Sequence, residues 1–465
     1  MTHQTDMDEG TNGLETERSY GVDESLVRTC EIALSAGRID ELDGLIDGLH
    51  ASDLADLLEA LSSDSRRILF DHVRDRLDPE LLTHLDDVVR EDVLEQLEPA
   101  EVAAVITELD TYDAIDVFED VAVADQASVL ARLSPSDRAL VEQALSYPED
   151  SAGRLMQHEL VTVPKDWSVG NSIDYMRARA ADLPRDFYEI YVVDDDRHPV
   201  GTIPLSRLMR NQRDVRIDDI MLTDLRSAYV EMDQEEAALM FRQYALLSAP
   251  VVNERGQLVG VITADDIVHV IHEEAEEDIL RLGGVREDDF YEAVLDTTRA
   301  RFSWLLVNLG TAIIASLVIG LFDAAIEQVV ALAILMPIVA SMGGNAGTQT
   351  LTVAVRALAM KELTAANAAR IMGKEVVVGG INGLLFALMI GLVAWLWFGE
   401  PVIGLIIGAA MMFNLLIAGF AGVTIPLALE RMRIDPAVGS AVVLTTITDV
   451  VGFVSFLGLA AIVLL

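Results

Sequence analysis

The chain has 465 residues, 51% of them hydrophobic, with 76 Asp and Glu against 33 Lys and Arg, for a formal net charge of −43. Such a charge excludes a nucleic-acid binder, because affinity for phosphate depends on neutralisation by clustered Lys and Arg. From Arg301 onward only 8 acids and 7 bases occur, leaving 68 acids and 26 bases in residues 1 to 300. An acidic soluble part is therefore joined to an apolar part whose runs suit a bilayer, which takes about 20 apolar residues to cross. The chain reads as a membrane protein.

The bases are almost all Arg, the three lysines being Lys165, Lys361 and Lys374. An acid-rich, Lys-poor surface suits a salt-loaded cytosol that screens self-repulsion, so a halophilic source is expected. The single cysteine, Cys30, excludes an intrachain disulfide and a thiolate zinc site. Residues 1 to 22 are polar, lack the apolar core of a signal peptide and read as a disordered tail.

Residues 23 to 150 repeat short amphipathic units such as SDLADLLEAL, REDVLEQL and PAEVAAVITEL. Apolar residues recur at three and four, and Ser52, Asp78, Pro99 and Ser134 stand where helices should begin. The pattern predicts an all-α solenoid of stacked helix pairs with acidic outer faces.

Residues 151 to 272 contain an internal repeat. YVVDDDRHPVGTIPLSRL (191 to 208) aligns without gaps on PVVNERGQLVGVITADDI (250 to 267), pairing Val192 with Val251, Gly201 with Gly260 and Ile203 with Ile262. Each copy reads strand, polar turn, strand and helix start, and upstream of each stands a further strand and an amphipathic helix. This α/β unit resembles a tandem pair of cystathionine-β-synthase-type (CBS) domains. In that family a G-h-h-[ST]-x-x-D stretch can hold a nucleotide ribose, and the second copy keeps it as Gly260, Thr263 and Asp266. The first has Pro204 and Arg207 instead. The resemblance thus implies ATP or a related nucleotide at one site only, and the alternative is that Thr263 and Asp266 cap a helix.

Residues 273 to 300 form an expected connecting, or plug, helix. Glu273, Glu274, Glu276, Glu277 and Asp278 crowd its start, and like charges at i, i+3 and i+4 repel. A divalent cation bridging them to another acidic face would relieve that repulsion and stabilise a compact state.

From 301 to 465 five apolar runs fall at about 303 to 322, 329 to 355, 376 to 398, 402 to 428 and 438 to 464, predicting an α-helical domain of five spans. Arg299 and Arg301 precede the first; Arg356, Lys361, Arg370 and Lys374 lie between the second and third; Arg431 and Arg433 precede the fifth. By the positive-inside rule the N-terminal half is cytoplasmic and the C-terminus lies outside the plasma membrane.

Two segments break the lipid-facing pattern. Span two contains PIVASMGGNAGTQ (337 to 349), where glycines are expected to loosen the helix and polar side chains lie at membrane depth; irregular polar backbone survives there only if buried or lining water. Span five contains TTITDVVGF (445 to 453), with Asp449 the one acid deep in any of the predicted spans. A central Asp costs about 2.5 to 3.5 kcal/mol on insertion scales, so it points to a cation pathway or a buried partner. Carboxylate, Thr and Asn oxygens without His or Cys favour a hard ion such as Mg²⁺, Ca²⁺ or Mn²⁺, and so few carboxylates suit Mg²⁺, which keeps several waters.

PIVASMGGNAGTQ, TTITDVVGF, YPEDSAGRLM (147 to 156) and HEEAEEDILRLGGV (272 to 285) together resemble the MgtE family of magnesium channels, over about residue 23 to the C-terminus. The resemblance implies a homodimer in a lipid membrane with a pore on its two-fold axis, Mg²⁺ as both substrate and effector, and closure when cytosolic Mg²⁺ is high. Matching positions in the pore are Asp449, Gly452 as a carbonyl donor, Asn345, Thr348 and Thr352, with Thr445 a neutral ligand beside them. Ala441 stands where some members have Asn. Matching sensor positions are Glu80 and Asp116 in the solenoid, Asp233, Glu235 and Asp266 in the CBS pair, and Glu274, Glu277 and Asp278 in the connecting helix. His269, Ala245 and Tyr112 replace acids of the family pattern. An anion channel would need basic sites in the membrane, and a non-conducting Mg²⁺ sensor would leave Asp449 without use. No nucleophile–base constellation, P-loop or His pair at metal spacing points to an enzyme.

Overall fold

The computed structural model describes residues 21–181, 183–184, 187–285 and 294–464. Nearly all of the tail 1–22, residues 286–293 of the connecting segment, and Leu465 lie outside them. Two compact units result: one of residues up to Met232 with Ser248–Thr263, the other of Asp233–Leu247 and the chain from Ala264 onward.

In the first unit, short helices succeed one another from Glu24–Ser35 to Pro135–Ala144. Their apolar stripes interlock, with Leu57, Leu58, Leu69, Phe70, Leu82, Val89 and Val117 fully buried. The starts are set by caps, which satisfy amides a first turn leaves unpaired. Ser134 Oγ accepts from the Asp137 amide at 3.2 Å, Asp78 from that of Glu80 at 3.2 Å, and Pro99 opens a helix behind a Glu98–Glu101 capping box. The start expected at Ser52 comes one residue earlier, because the His50 ring accepts the Ser52 amide and caps Ala51–Ala60.

One buried charge organises this helical region. Arg90 is 3% exposed and its guanidinium holds Asp116 at 2.7 Å, Asp87 at 2.7 Å and also Asp120. An Arg fork has the donors to satisfy three carboxylates at once. Burial and the neighbouring acids nonetheless push Asp120 up to about 7.

The repeat appears as two three-stranded sheets. In the first, β1 (Thr162–Pro164) runs parallel to β2 (Glu189–Val193), which is antiparallel to β3 (Pro199–Pro204); the second repeats this with β4 (Ala228–Tyr229), β5 (Ser248–Val252) and β6 (Leu258–Thr263). The register is the same, Val192 facing Gly201 and Val251 facing Gly260, with a bulge following each pair. Both glycines are required by close approach: a methyl group on Gly201 would lie 2.8 Å from Met221 Sδ, and one on Gly260 would lie 2.6 Å from Met156 Sδ. Each methionine comes from the segment leading into the other copy, so the two sheets brace one another.

The second unit holds five helices long and apolar enough to cross a membrane: span one Val294–Gly320, span two Ala331–Ala359, span three Ala368–Phe398, span four Pro401–Arg431 and span five Ser440–Leu464. The chain is a multi-pass membrane protein. Span four is the central helix, and Ile407, Ala410, Met411 and Leu415 on it are essentially inaccessible. Contrary to expectation, the Gly-rich stretch of span two stays helical through Pro337 and Gly347. Its glycines serve packing instead: the side chain of Asn414 occupies the room left at Gly343, and Leu444 lies 3.0 Å from where a methyl group on Gly347 would be. Small residues let membrane helices approach closely without loosening either one.

Arg90→Ala leaves three acids facing one another. It should destabilise the helical region by about 3–5 kcal/mol, as when a buried pair loses one partner. Thermal unfolding in EDTA would show it as an earlier transition, and added Mg²⁺ should recover more of the loss in the variant than it adds to the wild type.

Candidate functional site

Span two presents Asn345, Thr348 and Thr352 at the spacing of one helical face, and all three are exposed on this single chain. Thr348 donates to the Gly344 carbonyl at 2.9 Å and Thr352 to the Thr348 carbonyl at 3.0 Å. On span five Thr445 donates to the carbonyls of Ala441 and Val442 at 2.9 and 3.1 Å. With its proton committed to the helix, each hydroxyl is left with lone pairs, so these rows present acceptors and suit a cation. Asn345 donates to Ser341 Oγ at 3.4 Å, which likewise leaves its carbonyl oxygen available. A methyl group on Gly344 would lie 4.0 Å from Thr445 Cγ2, which sets the two rows side by side.

Asp449 stands one turn beyond Thr445 on the same helix, half-buried and without an ion pair among the described residues. Gly452 sits differently from the other pore candidates. It is buried, its carbonyl accepts Ser455 Oγ at 3.0 Å, and a methyl group on it would fall 2.8 Å from Asn414 Nδ2.

Asn414 is the residue that the pattern of apolar runs passed over. It is 0% exposed, its Nδ2 donates to the Val339 carbonyl at 3.0 Å, and its Oδ1 is buried without a hydrogen-bond partner among the described residues. Because a carbonyl can only accept, this bond fixes which way the amide points. Asn414 thereby ties span four to span two while filling the space beside Gly452 of span five. The signal was a lone Asn inside MMFNLLIAG.

A second assembly lies outside the membrane helices, within the same unit. The helix Gln234–Tyr244 and the connecting helix Ala264–Gly283 pack together. Asp233 caps the first by accepting the Glu235 amide at 2.9 Å, and Gln234 Nε2 donates to Glu274 on the second at 2.7 Å. Partial burial, the charges of Glu274 and Asp233 and a hydrogen bond shared with Glu274 push Glu235 up to about 7. Partial burial together with Asp435 and Glu274 pushes Asp278 up to about 6. Four of the sequence candidates, Asp233, Glu235, Glu274 and Asp278, are thus brought together, and Asp435 joins them from the loop before span five. Glu277 is instead paired with Arg281, Asp266 is buried in the first turn of the connecting helix, and Thr263 ends β6. In the first unit Glu80 stands exposed at the start of a short helix and Asp116 is held by Arg90. Among the described residues no three acidic, His or Cys side chains form a finished metal cage. The cluster is one of carboxylates that raise one another's proton affinity.

The connecting helix also reaches the spans. Arg281 pairs with Asp435 at 2.5 Å, and Leu282 packs against the buried group of Leu351, Val355, Ala421, Ile425, Ala437 and Leu444 from spans two, four and five and the loop before span five.

Comparison with known proteins identifies relatives along most of the chain. Residues 336–459 match the family described as a divalent cation transporter, residues 49–150 the MgtE intracellular N domain, and residues 152–214 and 217–273 CBS domains. The chain is 35% identical over 430 residues to the magnesium transporter MgtE of Enterococcus faecalis, covering 91% of this chain and 94% of that one. It is 34% identical over 334 residues to that of Thermus thermophilus, covering 71% and 74%. Among solved structures, the cytosolic domain of the Mg²⁺ channel MgtE in complex with ATP is 30% identical, covering 52% of this chain and 99% of that one with a TM-score of 0.48.

A carboxyl whose pKa stands higher in the folded than in the unfolded state makes the fold bind more protons, so its effect weakens stability as pH rises through that window. For Glu235 and Asp278 the window runs from the ordinary carboxylate range to about 7 and about 6. In EDTA the unfolding midpoint should therefore fall from pH 5.5 to pH 8. Mg²⁺ should restore it at pH 8 and add little at pH 5.5. Glu235→Gln with Asp278→Asn should flatten both responses; an unchanged profile in this double variant would show that the acids are not crowded.

Proposed function

Because the chain belongs to the MgtE family of magnesium transporters, we propose that it carries Mg²⁺ across the plasma membrane along the face formed by Asn345, Thr348, Thr352, Thr445 and Asp449. The family is one of transporters and not of enzymes. The observation that carries the reading is Asp449 beside rows of acceptor oxygens, with no base to neutralise it. Left against hydrocarbon, such polar groups would each cost several kcal/mol, so they call for water, a cation or a protein surface. A second copy meeting this face about a two-fold axis supplies all three. Two Asp449 carboxylates then flank a partly hydrated divalent ion whose charge makes their approach tolerable.

Control of the path is proposed to lie with the acid cluster. Mg²⁺ entering among Asp233, Glu235, Glu274, Asp278 and Asp435 would replace repulsion by attraction and favour the state in which the carboxylates close together. A ligand shifts an equilibrium only by its differential affinity for the two states, and separated carboxylates bind a divalent ion more weakly than converged ones. The change is passed to the pore through Arg281–Asp435 and Leu282, because Asp435 precedes the span that carries Asp449. Glu80 and Asp116 are further candidate ligands from the helical region, Asp116 by exchanging Arg90 for the ion, and Glu277 and Asp266 further ones beside the cluster. Thr263 and Asp266 remain the candidate nucleotide residues, on the strength of the motif they complete with Gly260. Gly452 belongs to the pore through packing, by admitting Asn414 behind Asp449.

Asp449→Asn keeps size and one carbonyl oxygen but removes charge. Mg²⁺ flux into liposomes should fall roughly tenfold or more, as befits loss of a charge-assisted ligand, with dimerisation and unfolding midpoint retained. Wild-type flux with unchanged preference over Na⁺ would remove Asp449 from the path. The basic loops between spans two and three and before span five favour a cytosolic position for those ends by the positive-inside rule. Cysteine labelling on a Cys30→Ala background should accordingly reach Lys361→Cys from inside and Glu400→Cys from outside, and both reacting from one side would overturn the orientation.

A further inference from the structure

A cavity of about 170 Å³ lies in the membrane unit beside the row of span two, lined by apolar and polar residues of spans two, three and four. Three features distinguish it from a gap between helices. Glu375 of span three faces it with a side chain only 12% exposed. Thr350 of span two, 9% exposed, donates to Glu375 Oε2 at 3.4 Å. Gln349 and Asn382, both exposed on the single chain, line the mouth of the same cavity, and neither carboxamide has a hydrogen-bond partner among the described residues. Four oxygen-bearing side chains thus converge, one of them a carboxylate.

The cavity is built by close helix approach. A methyl group on Gly419 would fall 2.7 Å from the Glu375 carbonyl, one on Gly379 would fall 2.6 Å from the Leu415 carbonyl, and one on Gly422 would fall 2.8 Å from Thr350 Cβ. Backbone contacts at this range hold the carboxylate and the Thr350 hydroxyl in place on either side of span four. The counter-charge is weak: Lys374 lies 3.6 Å from Glu375 Oε1 with its side chain 72% exposed, and such exposed pairs contribute little. A carboxylate with neutral oxygens around it and a mobile ammonium at its edge is a place for a cation.

We propose that Glu375, Gln349, Thr350 and Asn382 form a second cation site, separate from Asp449, that takes a partly hydrated divalent cation. With one carboxylate present, the ion keeps most of its waters, for which the cavity has room. Gln349 lies between Thr348 and Thr352 on span two, so an ion here would sit at the depth of that row, nearer the basic loop than Asn345. That placement rests on the proposed path and orientation, whereas binding itself does not.

Mn²⁺ is a suitable probe, since its anomalous scattering locates it directly in crystals of the full-length protein. Wild type should show one peak at Asp449 and another in the cavity. Glu375→Gln should abolish the cavity peak, or demand roughly tenfold more Mn²⁺ to fill it, and leave the Asp449 peak unchanged. Lys374→Ala should fill the cavity at lower Mn²⁺. No cavity peak at a concentration that saturates Asp449, or a peak that survives Glu375→Gln, overturns the proposal. A cavity peak without one at Asp449 would instead sink the proposed pore and leave this site standing. Should Glu375→Gln fail to fold, Gln349→Leu, which keeps the carboxylate and removes a neutral ligand, must still weaken the cavity peak.

Discussion

Spans two, three, four and five approach so closely that side chains are excluded from several of their contacts, and the remaining arrangement follows from this. The glycines at 343, 347, 379, 419, 422 and 452 admit a neighbour's backbone, a buried amide or a leucine where any larger residue would collide. Dispersion and directed hydrogen bonds, from Asn414 to Val339 and from Thr350 to Glu375, hold the interior, as expected where lipid offers no hydrophobic drive between helices. A filled interior has no space for the oxygens of Asn345, Thr348 and Thr352. They face outward from the single chain, where bare hydrocarbon would leave them unsolvated.

Charge in the soluble part obeys the opposite rule. Its carboxylates are cheap where water reaches them, and costly only where folding crowds them. Arg90 shows one resolution, a buried guanidinium shared by three acids. Glu235, Glu274, Asp278 and Asp435 show the other, a group with Arg281 at its edge as its one base among the described residues, held near one another by helix packing so that Glu235 and Asp278 keep their protons to higher pH. Because Asp435 stands at the head of span five, a change in this local electrostatics has a short mechanical route to Asp449.

Much was legible in the sequence. A period of three to four, a gap-free repeat and apolar runs of about 20 residues each reflect local geometry, so the helical region, the paired sheets and the five spans could be read off, whereas the register that sets Val192 against Gly201 and Val251 against Gly260 came from the structure. Asp449 was conspicuous because a charge in an apolar run has no local reason to be there. The glycines of span two misled on backbone shape, since their local preference is for flexibility and their tertiary use is proximity. Asn414 and Glu375 were overlooked for related reasons, one being neutral and the other standing at the edge of an apolar run.

Composition and periodicity by themselves therefore determined the class of protein, its element order and the sign of the ion, because hydrophobic burial and charge act on every residue according to its type. Which acids meet was decided only by the tertiary structure. Asp435 lies far along the chain from Asp278, and Glu375 reaches Thr350 only because glycine backbones on span four allow the helices to close. Electrostatic interaction falls with distance through space and not along the chain, so the partners of a charge follow from the packing.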